Sequence, residues 1–175
     1  MFVSTVDELS KSAGDTTDSG WSLEGGKLAA LDGESCFVTV PVPQGIRPLH
    51  PFSLDLMSIF DDRFNRSGFI LQLTEWTLGS SEYDQVGWKA VDLMRRAFGE
   101  SRPMEVAPVH IMRFDELLET RALMMQVLLN SWSAIVTAIP VNYFFDFDED
   151  GVRVCVANRD IAATVFAAMS RWNPR

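Results

Sequence analysis

Six consecutive residues, Asp146-Phe147-Asp148-Glu149-Asp150-Gly151, carry the densest titratable chemistry in the chain. Their spacing matches the first half of a calcium loop, D-x-D-x-D-G. There, alternate carboxylates converge because the chain curls around the ion, and Gly permits the sharp turn. The second half is missing, because Ala157 stands where a bidentate Glu is required. The flanks are also β-branched and aromatic, as in strands rather than helices. The stretch therefore reads first as a solvated hairpin tip. Its functional alternative is an acidic protein-contact patch made of Asp146, Asp148, Glu149 and Asp150.

Other candidates for chemistry are sparse. His50 and His110 stand alone in their neighbourhoods, and no H-x-H or H-E-x-x-H puts two imidazoles on one face. Cys36 and Cys155 lie in apolar strand patterns, which suits buried free thiols in a reducing compartment. A disulfide between them stays open on sequence grounds. Cys155–His110 and Cys36–His50 dyads require the fold to bring each pair together. No G-x-S-x-G or G-x-G-x-x-G occurs. Gly25-Gly26-Lys27 fails as a phosphate loop, since Trp21 replaces its first Gly and Leu28 its Ser or Thr. Trp76, Tyr83 and Trp88, with Glu75, Glu82 and Asp84, have the types to line a ligand groove, although aromatics at such positions are usually core. No catalytic, cofactor or metal residue is assigned.

The elements that must position these residues are organised around one stretch. From Ala122 to Phe145 there is no charged side chain. Its length approaches a bilayer span, but Gln126, Asn130, Ser131, Ser133, Thr137 and Asn142 interrupt it and Pro140 breaks a helix. Its first half is rich in unbranched helix formers and its second in β-branched and aromatic residues. The pattern predicts a buried helix from Asp115, with Leu118, Ala122, Met125, Leu129 and Trp132 on one face and Leu117, Met124 and Leu128 beside it. A turn at Asn130–Ser133 and a buried strand follow. Asp150-Gly151 suits a type I′ turn, which pairs Asp148 with Arg153, Phe147 with Val154, Phe145 with Val156 and Asn142 with Arg159.

Upstream, Thr5-Val6-Asp7-Glu8 reads as a capping box opening a short helix, followed by a mobile polar loop near 10–20. Trp21–Glu24, Lys27–Leu31 and Ser35–Val40 suggest an antiparallel meander. The segment 41–51, with four prolines, reads as a stiff connection, and Ser53 as the cap of a helix to about Phe64. A strand at Phe69–Leu78 precedes a helix from Ser81, whose apolar face is Val86, Ala90, Met94, Ala97 and Phe98 and whose cap is Gly99. Met104–Arg113 is a further strand, and Ile161–Trp172 a final apolar helix opened by Asp160. The order is α-βββ-α-β-α-β-α-ββ-α, an α+β chain read as a single domain over 1–175, with a mainly antiparallel sheet covered by helices. The βαβα portion from Phe69 to Ile139 leaves room for parallel neighbours.

The chain has 175 residues and a net charge of −9. That charge disfavours a nucleic-acid surface. Met1 begins a segment with neither a basic nor a continuous apolar region, so no secretory signal is read and a cytoplasmic protein is expected. Asn65-Arg66-Ser67 matches a glycosylation sequon that matters only on secretion.

The general build resembles small acidic α+β proteins that act by binding another protein, among them bacterial toxin-neutralising immunity proteins and secretion chaperones. The resemblance is one of architecture. It implies stoichiometric, non-enzymatic binding of a basic partner through an acidic surface, with charge steering the encounter. Two alternatives stand beside it: a small-molecule-binding domain or enzyme with a pocket between sheet and helices, and a homo-oligomer packed through the final helix.

Overall fold

The computed structural model describes residues 1–5, 7–8, 21–24, 27–30, 36–61, 68–76, 82–139, 143–148, 151–156 and 159–172. In chain order the elements are β1 (Phe2–Ser4), β2 (Trp21–Glu24), β3 (Lys27–Ala30), β4 (Cys36–Val40), α1 (Ile46–Asp61), β5 (Gly68–Glu75) and α2 (Glu82–Ala97). Then come β6 (Val109–Arg113), a 3₁₀ turn (Phe114–Glu116), α3 (Leu117–Asn130), β7 (Ser133–Ile139), β8 (Tyr143–Phe147), β9 (Val152–Val156), α4 (Arg159–Met169) and a closing 3₁₀ turn (Ser170–Trp172).

The fold is α+β. Seven strands form one sheet in the order β1-β6-β5-β7-β8-β9-β4, and β2 and β3 form a separate two-stranded sheet. Every neighbouring pair is antiparallel. Period-2 alternation explains the helix-covered face. One row crosses all seven strands: Val3, His110, Leu71, Val136, Phe145, Val154 and Val38. Leu71, Val136, Phe145 and Val154 join one core with Leu56 of α1, Val91 of α2, Leu123 and Met124 of α3, and Val165 of α4. Ile70, Gln72, Ile135, Thr137 and Phe144 are buried on the opposite face, and β3 lies against β5.

Several expectations are corrected. Among the described residues, the 69–139 segment contains no parallel pair, because β5 is antiparallel to both β6 and β7. β4 does not continue a meander from β3; it pairs with β9 at the far edge of the large sheet. The expected strand after Ser133 is two strands, β7 and β8, paired with each other, which sets Val136 against Phe145 in the core. Pro140 lies outside the described residues. β8 and β9 are paired two residues off the expected register, with Phe147 opposite Val152 and Phe145 opposite Val154. A slip of two leaves every side chain on its expected face, so alternation alone did not distinguish the registers.

α1 begins at Ile46, inside the proline-rich segment and ahead of Ser53. Pro48 stands in the first turn, where backbone N–H groups have no helical partner anyway. The buried Leu49, Phe52 and Leu56 give that helix its core-facing stripe. Ser53 is internal, and its hydroxyl donates to the His50 carbonyl at 2.8 Å.

α2 buries a different face from the one expected, and α3 does so in part, since Met124, Leu128 and Trp132 are buried as read. α3 buries Thr120, Leu123, Met124, Val127 and Leu128 and leaves Leu118 76% exposed. α2 buries Gly87, Val91 and Arg95 and leaves Val86 66% exposed. Its end does follow expectation: Gly99 has φ +85°, Gly99 N–H donates to Arg96 O, and Glu100 N–H donates to Arg95 O, a Schellman cap. The Thr5–Glu8 capping box is present. Thr5 N–H donates to the Glu8 carboxylate at 2.8 Å, and Glu8 N–H to the Thr5 hydroxyl at 3.0 Å. Among the described residues, no helix is long and apolar enough to cross a membrane.

Gly68 marks the tightest approach between β5 and β6. A Cβ there would lie 2.3 Å from the Met112 carbonyl oxygen, a backbone atom with little room to yield. Gly68→Ala is expected to lower stability by roughly 1–3 kcal/mol, the usual cost of overpacking. An unchanged urea midpoint would show that the two strands separate more easily than this.

Candidate functional site

Asp146 and Asp148 close the C-terminal end of β8, and Glu149 and Asp150 lie outside the described residues. Asp146 stands opposite Arg153 in the β8–β9 register. One Arg153 nitrogen lies 3.8 Å from Asp146 and 3.6 Å from Asp148, so the two acids share a cation. Asp148 also organises the turn. Its N–H donates to Gly151 O at 3.0 Å, and its Oδ1 accepts the Gly151 N–H at 2.9 Å. Short carboxylates favour such turns because they reach the backbone two or three residues on. Among the described residues, no three His, Cys, Asp or Glu side chains gather as a metal-ligand set.

Asp148 also lines a cleft of about 320 Å³. Residues 41–45 form one wall, and Ile46 and Leu49 of α1 continue it. Val127, Leu128 and Leu129 at the end of α3, with Trp132 and Phe147, supply the rest. Local backbone choices create the opening. Pro41 and Pro43 restrict the chain leaving β4, and Gly45 takes φ +89° just before α1. Ser131 takes the left-handed conformation, φ 51°, to end α3, and Trp132 N–H then donates back to Val127 O at 3.0 Å. Leu49, Val127, Leu128, Trp132 and Phe147 are buried, while Ile46 and Leu129 at the mouth are exposed. Trp132 Nε1 is buried with no hydrogen-bond partner. The result is a cleft of mixed character, in which buried apolar side chains sit beside Gln44, Ser131 and the Asp148 carboxylate.

The tryptophans suspected from the sequence do come together. The Trp76 and Trp88 rings lie 6.1 Å apart, and Trp88 meets Trp132 edge-on at 6.2 Å. The side chains of Glu82, Tyr83 and Asp84 are outside the described residues. The Cys155–His110 dyad is not assembled, and the Cys36 side chain, needed for the Cys36–His50 dyad, lies outside the described residues. Cys155 is a half-buried free thiol, and burial pushes its pKa up to about 11, which leaves it a poor nucleophile. Because Cys155 is free, the Cys36–Cys155 disulfide does not form. His110 is on β6 and Cys155 on β9, with β5, β7 and β8 between them. His50 is exposed and contacts Arg121 at 2.5 Å.

Sequence reasoning missed Arg95 as a buried group. It is 1% exposed on the core-facing side of α2. A signal existed: Arg95 follows Trp88 by seven residues and Val91 by four, on one helical stripe. Counting only apolar residues hid it. His110, fully buried in the cross-sheet row, makes no hydrogen bond of good geometry through its ring, with the Leu71 and Pro108 backbone beside it. No protein-family model, curated protein or solved structure matches the chain.

His110 makes a pH prediction. Burial, followed by the Arg95 charge, holds its pKa down at about 4 against an ordinary 6.5. The unfolded chain takes up this proton below about 6.5 and the folded chain does not, so stability is full above that pH. It falls as pH drops towards 4, by about 3 kcal/mol in all. His110→Leu, set between Val3 and Leu71 in the row, should fold and lose this sag in urea titrations between pH 4 and 6.5. A wild-type stability flat across that window would contradict the buried neutral imidazole.

Proposed function

We propose that the chain is a non-enzymatic binding domain whose cleft takes a small apolar ligand carrying a cationic head group. The observation that carries this reading is a cleft of about 320 Å³ in which apolar side chains and the Asp148 carboxylate line one space. That size falls within the range of small-molecule pockets, which are mostly apolar with a few placed polar groups. Asp148 is fixed by its turn bonds, so little side-chain entropy is lost when a ligand meets it. The exposed Ile46 and Leu129 extend the apolar surface to the mouth. The free Cys155 thiol supports a cytoplasmic setting, where thiols stay reduced.

A panel of linear alkylamines and the matching alcohols tests the reading, with tryptophan emission as the signal because Trp132 lines the cleft. Amines are expected to saturate and to bind more tightly than alcohols. Asp148→Asn keeps an Oδ1 acceptor for Gly151 and removes the charge. It should weaken amine binding about tenfold, the scale of one charge-assisted hydrogen bond, and leave the alcohols unchanged. The reading fails if no amine saturates the wild-type chain, or if Asp148→Asn binds amines equally well.

A second reading keeps Asp146, Asp148, Glu149 and Asp150 as the contact for a basic partner protein. The net charge of −9 favours it, and Arg153 between Asp146 and Asp148 competes with a cation in this reading as in the first. A pull-down at rising salt, repeated with Asp146→Asn and Asp148→Asn together, tests it. A stoichiometric basic protein lost in the double variant is the outcome expected of this reading. A partner retained through both changes removes the acidic tip as its contact.

A further inference from the structure

A second cavity, of about 310 Å³, opens between the outer turns of α2 and the segment returning the chain to β6. Its walls include Trp88, Arg95, Met104, Glu105 and the Asp92–Arg96 ion pair. Arg95 Nη2 donates to Arg102 O at 3.0 Å and to Pro103 O at 3.5 Å. Its Nε and Nη1 are buried and have no partner. A guanidinium does not deprotonate in a protein, and leaving one buried without a counter-ion costs several kcal/mol.

The acids that act on Arg95 are engaged elsewhere. Asp92 accepts Arg96 Nε at 2.7 Å. Glu100 accepts three bonds from the Arg102 guanidinium, at 2.7 to 3.0 Å. Glu105, exposed at the cavity, attracts Arg95 less than either. In a chain with a net charge of −9, a buried cation has thus been left without a carboxylate of its own.

We propose that this cavity binds a small organic carboxylate, its oxyanion meeting Arg95 and its apolar body resting on Trp88 and Met104. A single uncommitted cation matches a single negative charge. Inorganic phosphate carries more than one charge at neutral pH; Asp92 is compensated by Arg96, and the exposed Glu105 repels the excess. The apolar wall favours a carboxylate with an aromatic or aliphatic body over acetate. Met104 is buried and Trp88 is half-buried against the core, so both are held in place before a ligand arrives.

The test titrates the full chain with phenylacetate and, separately, with inorganic phosphate, at ionic strength held constant with sodium chloride. Tryptophan emission is the readout, since Trp88 lines the cavity. Phenylacetate is expected to saturate and to bind at least tenfold more tightly than phosphate. Arg95→Met, checked for folding by circular dichroism, should weaken phenylacetate at least tenfold. Glu105→Gln, an exposed change that removes repulsion, should tighten it two- to threefold. If Arg95→Met does not fold, Glu105→Gln decides: tighter binding supports the site and unchanged binding overturns it. The absence of a saturable phenylacetate response overturns the proposal, as does unchanged affinity in a folded Arg95→Met. Phosphate binding as tightly as phenylacetate overturns the assignment to carboxylates.

Discussion

The burial of one guanidinium organises an entire edge of the molecule. Arg95 lies under α2, and its Nη2 holds the carbonyls of Arg102 and Pro103. That contact fixes the chain after Gly99 and points the Arg102 side chain outward. There Arg102 meets Glu100, Glu8 and the Val3 carbonyl. Its hydrogen bonds keep the Glu100 carboxyl down at about 2. The three-residue strand β1 and the Thr5–Glu8 capping box are thereby fastened to the loop that follows α2. Two arginines in sequence, one dry and one wet, connect the core to the N-terminal segment. The outer one gains little from any single exposed pair, and its value lies in joining three segments at once.

The sheet and helices were legible because they rest on simple periodicities. The α+β class, the Gly99 cap, the Thr5–Glu8 box and the burial of Met124, Leu128, Ile135 and Val136 within the uncharged stretch all follow from spacing and local backbone chemistry. Misreadings arose where a decision depended on long-range pairing. β4 lies next to β9 because Val38 and Val40 meet Val154 and Val152, and no local feature of residues 36–40 announces that partner. The β8–β9 register slipped by two residues, which alternation does not resolve. The cavities were less legible still. Asp148 was visible as a charge, but the cleft beside it needs the Gly45 and Ser131 conformations together. Arg95 looked like an ordinary basic residue at a helix end.

Both cavities border the same aromatic group. Trp88 faces the α2 cavity and Trp132 the cleft at the end of α3, with their rings edge to face. The approach of the two helices depends on a missing side chain. A Cβ on Gly87 would lie 2.4 Å from Asn130 Nδ2, and that amide already donates to Gln126 O at 2.8 Å. With no Cβ at Gly87, α2 settles against the end of α3, and Trp88 reaches Trp132. The mismatched faces of α2 and α3 follow from the same packing. The stripe that is buried combines glycine, tryptophan, valine and arginine, while larger aliphatic residues such as Leu93 and Leu118 stay outside.

The two borders of the large sheet are unlike. On one side β1 offers three residues, and its Val3 carbonyl is taken by Arg102. On the other, β4 runs for five residues and is followed by Pro41 and Pro43. Long, flat, unpaired borders template the addition of further strands, and short ones or those ended by proline do so poorly. The β1 border, three residues long with its Val3 carbonyl already taken, is thus the poorer template for backbone pairing with a further strand.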